Sequence, residues 1–582
     1  MKPSYPTGSQ WWQVTLFCCA TAVPAGAAIV YSGEQNISIT RDFEGVFIDL
    51  TDFQNGGSAS GNWDLNPFFG GLGIANSPSF QPVRIGTGNE DPILALALGS
   101  SVGATSQVAT GWGGSGAEDD SGHLGPGAGQ FSAGQTGYLG FTLLRGTAVN
   151  YGWMRVNLTR NDVGGVLLDW AYDDSGSSIL SGAVADLGAT PQIYQAGSDQ
   201  TLSAGQAGSG LLMEAGAKVT FNEGAQGATY SGKIQGAGEI EVAGAGGLRL
   251  AGSNIFSGTA SVLEGSRLTV GEAGNLGSAR VGIGSAASVV FDSLAANNGT
   301  ANTFANSISL DGQVATLENS GDGKVILSGA IATNGGQLGF SGGSFEVQGG
   351  ISGAGSLGKD GAGTLTLAAA NTYTGATTVA GGRLIINGST SASSAVGVSS
   401  GAILAGSGTV GGNTTISSGG ALAPGNSPGV LTVAGTTTFS SGSIFEWEID
   451  TAQADPETNR GTAYDGVNTT AVAGSGAIFK IMLTGTQEFS DSYWDQPHVW
   501  TDVFKSADGG ANLVNWASVF SGGLQYSYNG KTVAPNNWGS FAVSGQSLSW
   551  SAVSAVPEPG GLGATAILLA CGLLSRRRPV SS

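Results

Sequence analysis

Three glutamates, Glu239, Glu241 and Glu264, stand near one another in the chain. A pair of carboxylates is what sugar-bond cleavage needs, one to protonate the leaving oxygen and one to attack or to activate water. Nothing in the spacing of these three brings two of them to a groove. Histidine occurs only at His123 and His498, without His-x-x-x-His spacing, so zinc and Ser/His/Asp chemistry find no support. The cysteines, Cys18, Cys19 and Cys571, all fall in terminal segments and leave the body without a thiol, a disulfide or a zinc ligand set. Glu118, Asp119 and Asp120 sit in a Gly/Ser-rich loop that lacks the spaced acids of a calcium loop and reads as solvated. Asp64 and Asn66, just before Pro67, read as turn residues. No catalytic, cofactor-binding or metal residue is expected, and the chain reads as non-enzymatic.

The elements behind these residues are β-strands and turns. Glycine occurs 102 times in 582 residues, only 11% of residues are charged, and apolar residues still make up 40%. Disordered chains lack that apolar content, so the bias points to folded β-structure rich in turns. The formal charge of -20 repels phosphate backbones and excludes nucleic acid as a partner.

The middle of the chain repeats itself. Gly236-Ala237-Gly238, Leu248-Arg249-Leu250, Asn254-Ile255-Phe256-Ser257-Gly258 and Val262 recur as Gly353-Ala354-Gly355, Leu365-Thr366-Leu367, Asn371-Thr372-Tyr373-Thr374-Gly375 and Val379. Alternation of Leu365 and Leu367 with threonine suits a strand with one buried face, and the Gly and Asn clusters supply turns. Strands this short bury their faces only when successive coils stack, which predicts a right-handed parallel β-helix. Asn254 and Asn371 are expected to hold turns and not ligands.

The two ends read as addresses. Lys2, the uncharged stretch Trp11 to Val23 and the small residues Pro24-Ala25-Gly26-Ala27-Ala28 have the layout of a secretory signal, with cleavage after Ala27 or Ala28. At the other end Val556-Pro557-Glu558-Pro559 precedes an uncharged run from Gly560 to Leu574 and the basic triplet Arg576-Arg577-Arg578. As a helix that run would span about 22 Å, short of the roughly 30 Å hydrocarbon core, which suits transient insertion. The arginines would stay cytoplasmic, leaving everything upstream outside. Pro557 and Pro559 cannot continue a helix and leave the chain extended where a processing enzyme must reach it.

The Pro-Glu-Pro tail resembles the PEP-CTERM sorting signal. Residues 353 to 386, and more loosely 236 to 270, resemble the autotransporter-associated β-strand repeat, and Pro424-Gly425-Asn426-Ser427-Pro428-Gly429 is similar to a segment that often follows such repeats. The resemblance implies an exosortase-like membrane enzyme as processing partner and a solenoid without a translocating barrel, since the sorting tail stands where a barrel would be.

The expected organisation is all-β. It comprises a signal peptide at 1–28, a β-sandwich-like domain at 29–186, a β-helix at 187–450, a tryptophan-containing cap at 451–553 and a sorting signal with a short hydrophobic helix at 554–582. Gly137 to Phe141, Tyr151 to Trp153 and Leu168 to Tyr172 are similar to a β-domain recurrent in PEP-CTERM proteins, and Trp153 and Trp170 read as core. Trp494, Trp500, Trp516, Trp538 and Trp550 either cap the solenoid or expose a platform for sugar rings. The functional expectation is an exported structural or adhesive surface protein, transiently anchored and possessing extracellular polysaccharide as a candidate partner. The alternatives are a carbohydrate-binding protein and a polysaccharide-acting β-helix enzyme.

Overall fold

The computed structural model describes residues 29–553 except 41–44, 52–53, 56–62, 69–72, 77–78, 89–90, 109–113, 117–130, 132–135, 158–164, 293–301, 312–313, 451, 453–456, 485–491, 529–530 and 533–537. The export signal, the acidic loop at 118–120 with His123, the sorting motif Val556–Pro559, the hydrophobic run and Arg576–Arg578 therefore lie outside the described residues. Two compact units divide the chain, Met1–Ala189 and Thr190–Ser582.

The first unit is antiparallel. Strands Thr136–Arg145, Ala148–Asn157 and Gly165–Asp173 form a meander inside a seven-stranded sheet. Gly146, at φ 62°, makes the tight turn between the first two of these, in a left-handed conformation that costs glycine little. A second sheet of five strands contributes Ile48 and Leu65 to the same apolar cluster as Leu139, Phe141, Met154 and Trp170 of the first. Trp153 packs on the opposite side with Val83, Val102 and Ile179. Each indole N–H finds a carbonyl, Trp153 Nε1 donating to Ala183 O at 2.8 Å and Trp170 Nε1 to Leu50 O at 3.1 Å.

The second unit is a parallel β-solenoid of about 12 turns. Thr364–Leu367 shows why these residues make it, for Leu365 and Leu367 are fully buried while Thr364 and Thr366 face outward. Coils of roughly 20 residues stack like on like, so that Phe345, Leu365, Leu384, Leu404, Leu422, Phe445 and Phe479 form one continuous inner row. At about 25 cal/mol per Å², burial along such rows is the main stabilising term.

Each early coil has three sides. One side carries strands from Gln192–Tyr194 to Ile255–Phe256, then the 3-10 turn Ala273–Leu276, then an 11-stranded sheet that begins at Asn302–Phe304. A second side is an eight-stranded sheet ending at Ile351–Ser352, and a third is a 14-stranded sheet. Beyond Ile351–Ser352 the second side continues through the isolated bridges of Ala370 with Ser389 and of Ser389 with Thr409.

Corners hold the coils in register. Gly401, Gly419, Gly442 and Gly476 occupy the same corner in successive coils, all at φ between 72° and 78°. Their backbones form a chain of hydrogen bonds, Gly401 N to Gly419 O at 2.8 Å, Gly419 N to Gly442 O at 2.9 Å and Gly442 N to Gly476 O at 2.8 Å. Elsewhere asparagine side chains do this work. Asn371, 3% exposed, accepts from Ile351 N at 3.0 Å and donates to Ala369 O at 2.9 Å and Ser389 O at 3.0 Å, tying three coils together. Asn254 likewise accepts from Ile234 N and donates to Asn275 O. Asn371→Ala leaves a buried N–H without a partner, so a loss of about 2–3 kcal/mol is expected in urea unfolding; an unchanged midpoint would show that water replaces the amide.

The sheets run on across residue 450, where the sequence changes texture. Ile444–Ile449 pairs in parallel with Ile478–Leu483, which pairs with Leu524–Tyr528. One apolar core extends from Ala204 to Trp550. The tryptophan-rich segment is thus built on the solenoid's own sheets, its coils lengthened to roughly 35 to 45 residues by longer connections. It closes with an antiparallel sheet of His498–Trp500, Ser547–Ala552 and Gly539–Ser544.

Candidate functional site

Candidate chemistry is found at three places: the outward acids of the early coils, the aromatic end, and a groove that the sequence did not flag. Glu239 and Glu241 point outward from strand Glu239–Ala243, on one face of the second side. Both are engaged between coils. Glu239 accepts from Ser261 Oγ at 2.7 Å, and Glu241 accepts from Thr220 Oγ1 at 2.8 Å with Lys218 Nζ 3.4 Å away. Glu264 is exposed in the turn after Thr259–Val262. The two strand acids therefore work as cross-coil bonds, in the way that Lys324 with Glu346 and Lys480 with Glu446 do further along. Such half-exposed pairs contribute little each, about 0–1 kcal/mol, but their register favours like-on-like stacking.

At the aromatic end Trp447, Trp494, Trp500, Trp516 and Trp550 are at most 1% exposed. Ring centroids lie 5.2 Å apart for Trp447 and Trp500 and 5.0 Å for Trp494 and Trp550, the edge-to-face spacing of a packed core. Trp550 Nε1 donates to Trp494 O at 2.7 Å. Trp500 and Trp516 consequently offer no ring face to a sugar, which corrects the platform reading for these two residues. Large rings fill the interior of these last coils. Trp538 differs, at 46% exposed.

Polar groups inside this end are bound to structure. His498 stacks on the ring of Tyr493 with centroids 3.9 Å apart, and its two ring nitrogens face Glu457 Oε1 and Tyr493 O. The Tyr464 hydroxyl donates to Asp502 Oδ1 at 2.6 Å, and burial followed by that carboxylate pushes its phenol upward. Asp465, fully buried, accepts from Gly429 N at 2.7 Å and Glu448 N at 2.9 Å, so it clamps the last glycine of the Pro424–Gly429 corner to the next coil.

Burial holds the Asp465 carboxyl well above its ordinary value, the two backbone donors opposing this. A carboxyl whose folded value exceeds its unfolded one lowers stability as pH rises from about 4 toward neutrality. Asp465→Asn has no such titration. The variant is expected to gain on the natural chain between pH 4 and pH 7 in urea midpoints, and a gap moving the other way would show that the backbone donors outweigh burial.

The groove covers about 770 Å³ and is lined by Leu310, Asp311, Asn334, Gln337 and Ser356 across three coils. Asn334 is committed to Ser309 Oγ and Leu310 O, both at 3.0 Å. No motif announces it, because its members meet only through stacking. In the first unit Asp64 is buried at a bend before strand Leu65–Phe68 and accepts from Leu50 N at 2.9 Å and Ser79 Oγ at 3.2 Å. Asn66 and Pro67 lie within that strand, which corrects the turn reading: long-range strand pairing overrides the local turn preference. Among the described residues no group of three or more His, Cys, Asp or Glu could hold a metal ion.

The passenger-associated-transport-repeat family model matches residues 240–270 and 357–386. No curated protein matches the chain. Both matched passenger-associated repeats lie wholly within the solenoid, and they occupy different sides of it. Glu239–Ala243 belongs to the second side and its sequence counterpart Ser356–Lys359 to the third; Leu248–Leu250 belongs to the third and Thr364–Leu367 to the first. The passenger-associated repeat thus specifies a strand–corner–strand path without fixing which side it takes. Repeat type and β-solenoid together fit an exported passenger domain of the autotransporter kind.

Proposed function

We propose that this chain is a non-enzymatic, exported scaffold of the cell surface or extracellular matrix, held briefly at the membrane by its tail and processed there by an exosortase-like enzyme. The observation that carries the reading is the uninterrupted solenoid core from Ala204 to Trp550, on which the two passenger-associated repeats fall. A stalk of stacked coils resists extension because every coil is hydrogen-bonded and packed to its neighbours. The strand acids Glu239 and Glu241 serve that stacking, which supports a structural role over a sugar-cleaving one.

Sorting rests on the sequence of the tail, in which Val556-Pro557-Glu558-Pro559 would be the recognised motif and Arg576-Arg577-Arg578 the cytoplasmic flank. Among the described residues no helix is long and apolar enough to cross a membrane. Expression of the full chain in a host with a matching exosortase, followed by intact mass, tests the reading. Loss of the segment beyond Pro559 is expected. Retention through Ser582 would make this a permanently anchored protein, and release of reducing ends from a polysaccharide would reinstate an enzyme.

A further inference from the structure

The closing antiparallel sheet has two unlike faces. Its inner face carries Trp500, Phe541, Leu548 and Trp550 into the core. The outer face has Trp538 and Val553 at one end and Val499 and Ala542 at the other, with Ser540 and Ser551 between. Trp538 is 46% exposed, Val499 50% and Val553 54%, whereas the remaining tryptophans of this end are buried. Val553 N donates to Trp538 O at 2.9 Å, which sets the two apolar side chains beside each other across the strands. Strands Gly539–Ser544 and Ser547–Ala552 contain no charged residue, in a chain whose formal charge is -20.

What lies next to this face is fixed by the length of the chain that leaves it. Only Ser554 to Pro559 separate Val553 from the uncharged run that begins at Gly560. Six extended residues reach at most about 22 Å. We propose that the outer face of the closing sheet rests on the bilayer surface while the tail is inserted, with Trp538 in the headgroup region and Val553 and Val499 beside it. This rests on the reading of 554–582 as a membrane-inserted sorting tail. Tryptophan favours the membrane–water boundary because its ring is apolar and its N–H is wet. An uncharged face also avoids the repulsion that the acidic remainder of the protein meets at anionic headgroups. Resting there sets the Pro-Glu-Pro segment at the depth where a membrane enzyme works.

The test uses the full chain with its tail retained, reconstituted in phosphatidylcholine nanodiscs. Cys18, Cys19 and Cys571 are replaced by serine, and a spin label is placed at S540C or, as a control on the outer surface of a distant coil, at T415C. Collision with dissolved oxygen and with an aqueous nickel chelate is then measured. The label at 540 is expected to show a several-fold fall in nickel accessibility and a rise in oxygen accessibility relative to 415, both reversed by Trp538→Ser. Equal accessibility at the two positions, with the protein in the discs, would overturn the docking and leave the tail reading intact. Protection at 540 that persists without discs would assign the face to a second copy of the chain and overturn it too. Failure of the protein to co-elute with discs would overturn the tail reading, and the docking with it.

Discussion

Trp447→Ala is expected to unravel the carboxy-terminal coils and spare the earlier ones. Trp447 is fully buried, donates from Nε1 to Asp465 O at 2.9 Å and sits 5.2 Å from Trp500, 5.9 Å from Tyr464 and 6.2 Å from Phe479 between ring centroids. Removing so large a buried ring costs about 3–5 kcal/mol. In a stack where each coil touches only its neighbours, that loss stays local. Hydrogen exchange should therefore accelerate from Ile444 to Trp550 while the row from Val219 through Ile351 keeps its protection. Uniform loss of protection along the chain would show that the solenoid unfolds as one cooperative unit.

Gly355→Val is the second large effect, and it should split the solenoid in the middle. A Cβ at Gly355 would lie 1.8 Å from Gly336 O, a backbone atom of the preceding coil that cannot swing aside. Gly375 N in turn donates to Gly355 O at 3.0 Å, so the strain passes to the following coil. Overpacking of a rigid contact costs several kcal/mol at the upper end of the usual range of about 1–3, and exchange protection should fall on both sides of residue 355. Gly397→Ala is the matched control. Its added Cβ meets nothing within 4 Å, and the loss of unfolded-chain freedom should stabilise by about 0.4–1 kcal/mol. Similar unfolding midpoints for the two variants would refute the steric account.

Much of the solenoid can be read from the chain because its signals are local. Leu365 and Leu367 announce an inward row, and the amides of Asn254 and Asn371 announce corners. What depends on distant neighbours is not legible. Lys359 is the clearest instance, since a lysine flanked by Gly358 and Asp360 reads as solvated. It occupies an inner-row position between Phe340 and Val379 and is 1% exposed. Its ammonium reaches the corner carbonyls of Asp360 at 2.7 Å, Gly361 at 2.8 Å and Gly381 at 3.2 Å, which explains how a charge survives there while burial lowers its affinity for the proton. The aromatic end is legible only in part for a related reason: a density of tryptophan suits a cap on the solenoid or a platform for sugar rings, and it takes the stacking of Ile444–Ile449 on Ile478–Leu483 to turn Trp447, Trp500 and Trp516 inward. The outer face of the closing sheet could not be singled out either, because Trp538 looks like its buried fellows until the strands are paired.

The two passenger-associated repeats sit a third of a turn apart in their frame, and this bears on how such a chain can change length. Were each repeat bound to a given side, only duplications of a whole coil would fold, and any other insertion would throw every later strand out of phase. Because the same strand–corner–strand path serves first, second or third side, a duplicated fragment as short as one strand and its corner can be absorbed, with everything downstream rotating by one side. The inner rows still meet mostly apolar partners after such a rotation, since the inward residues of all three sides are chiefly Leu, Ile, Val and Phe. Length is then a trait that replication slippage can tune in small steps, and related chains should differ by single strands as often as by complete coils.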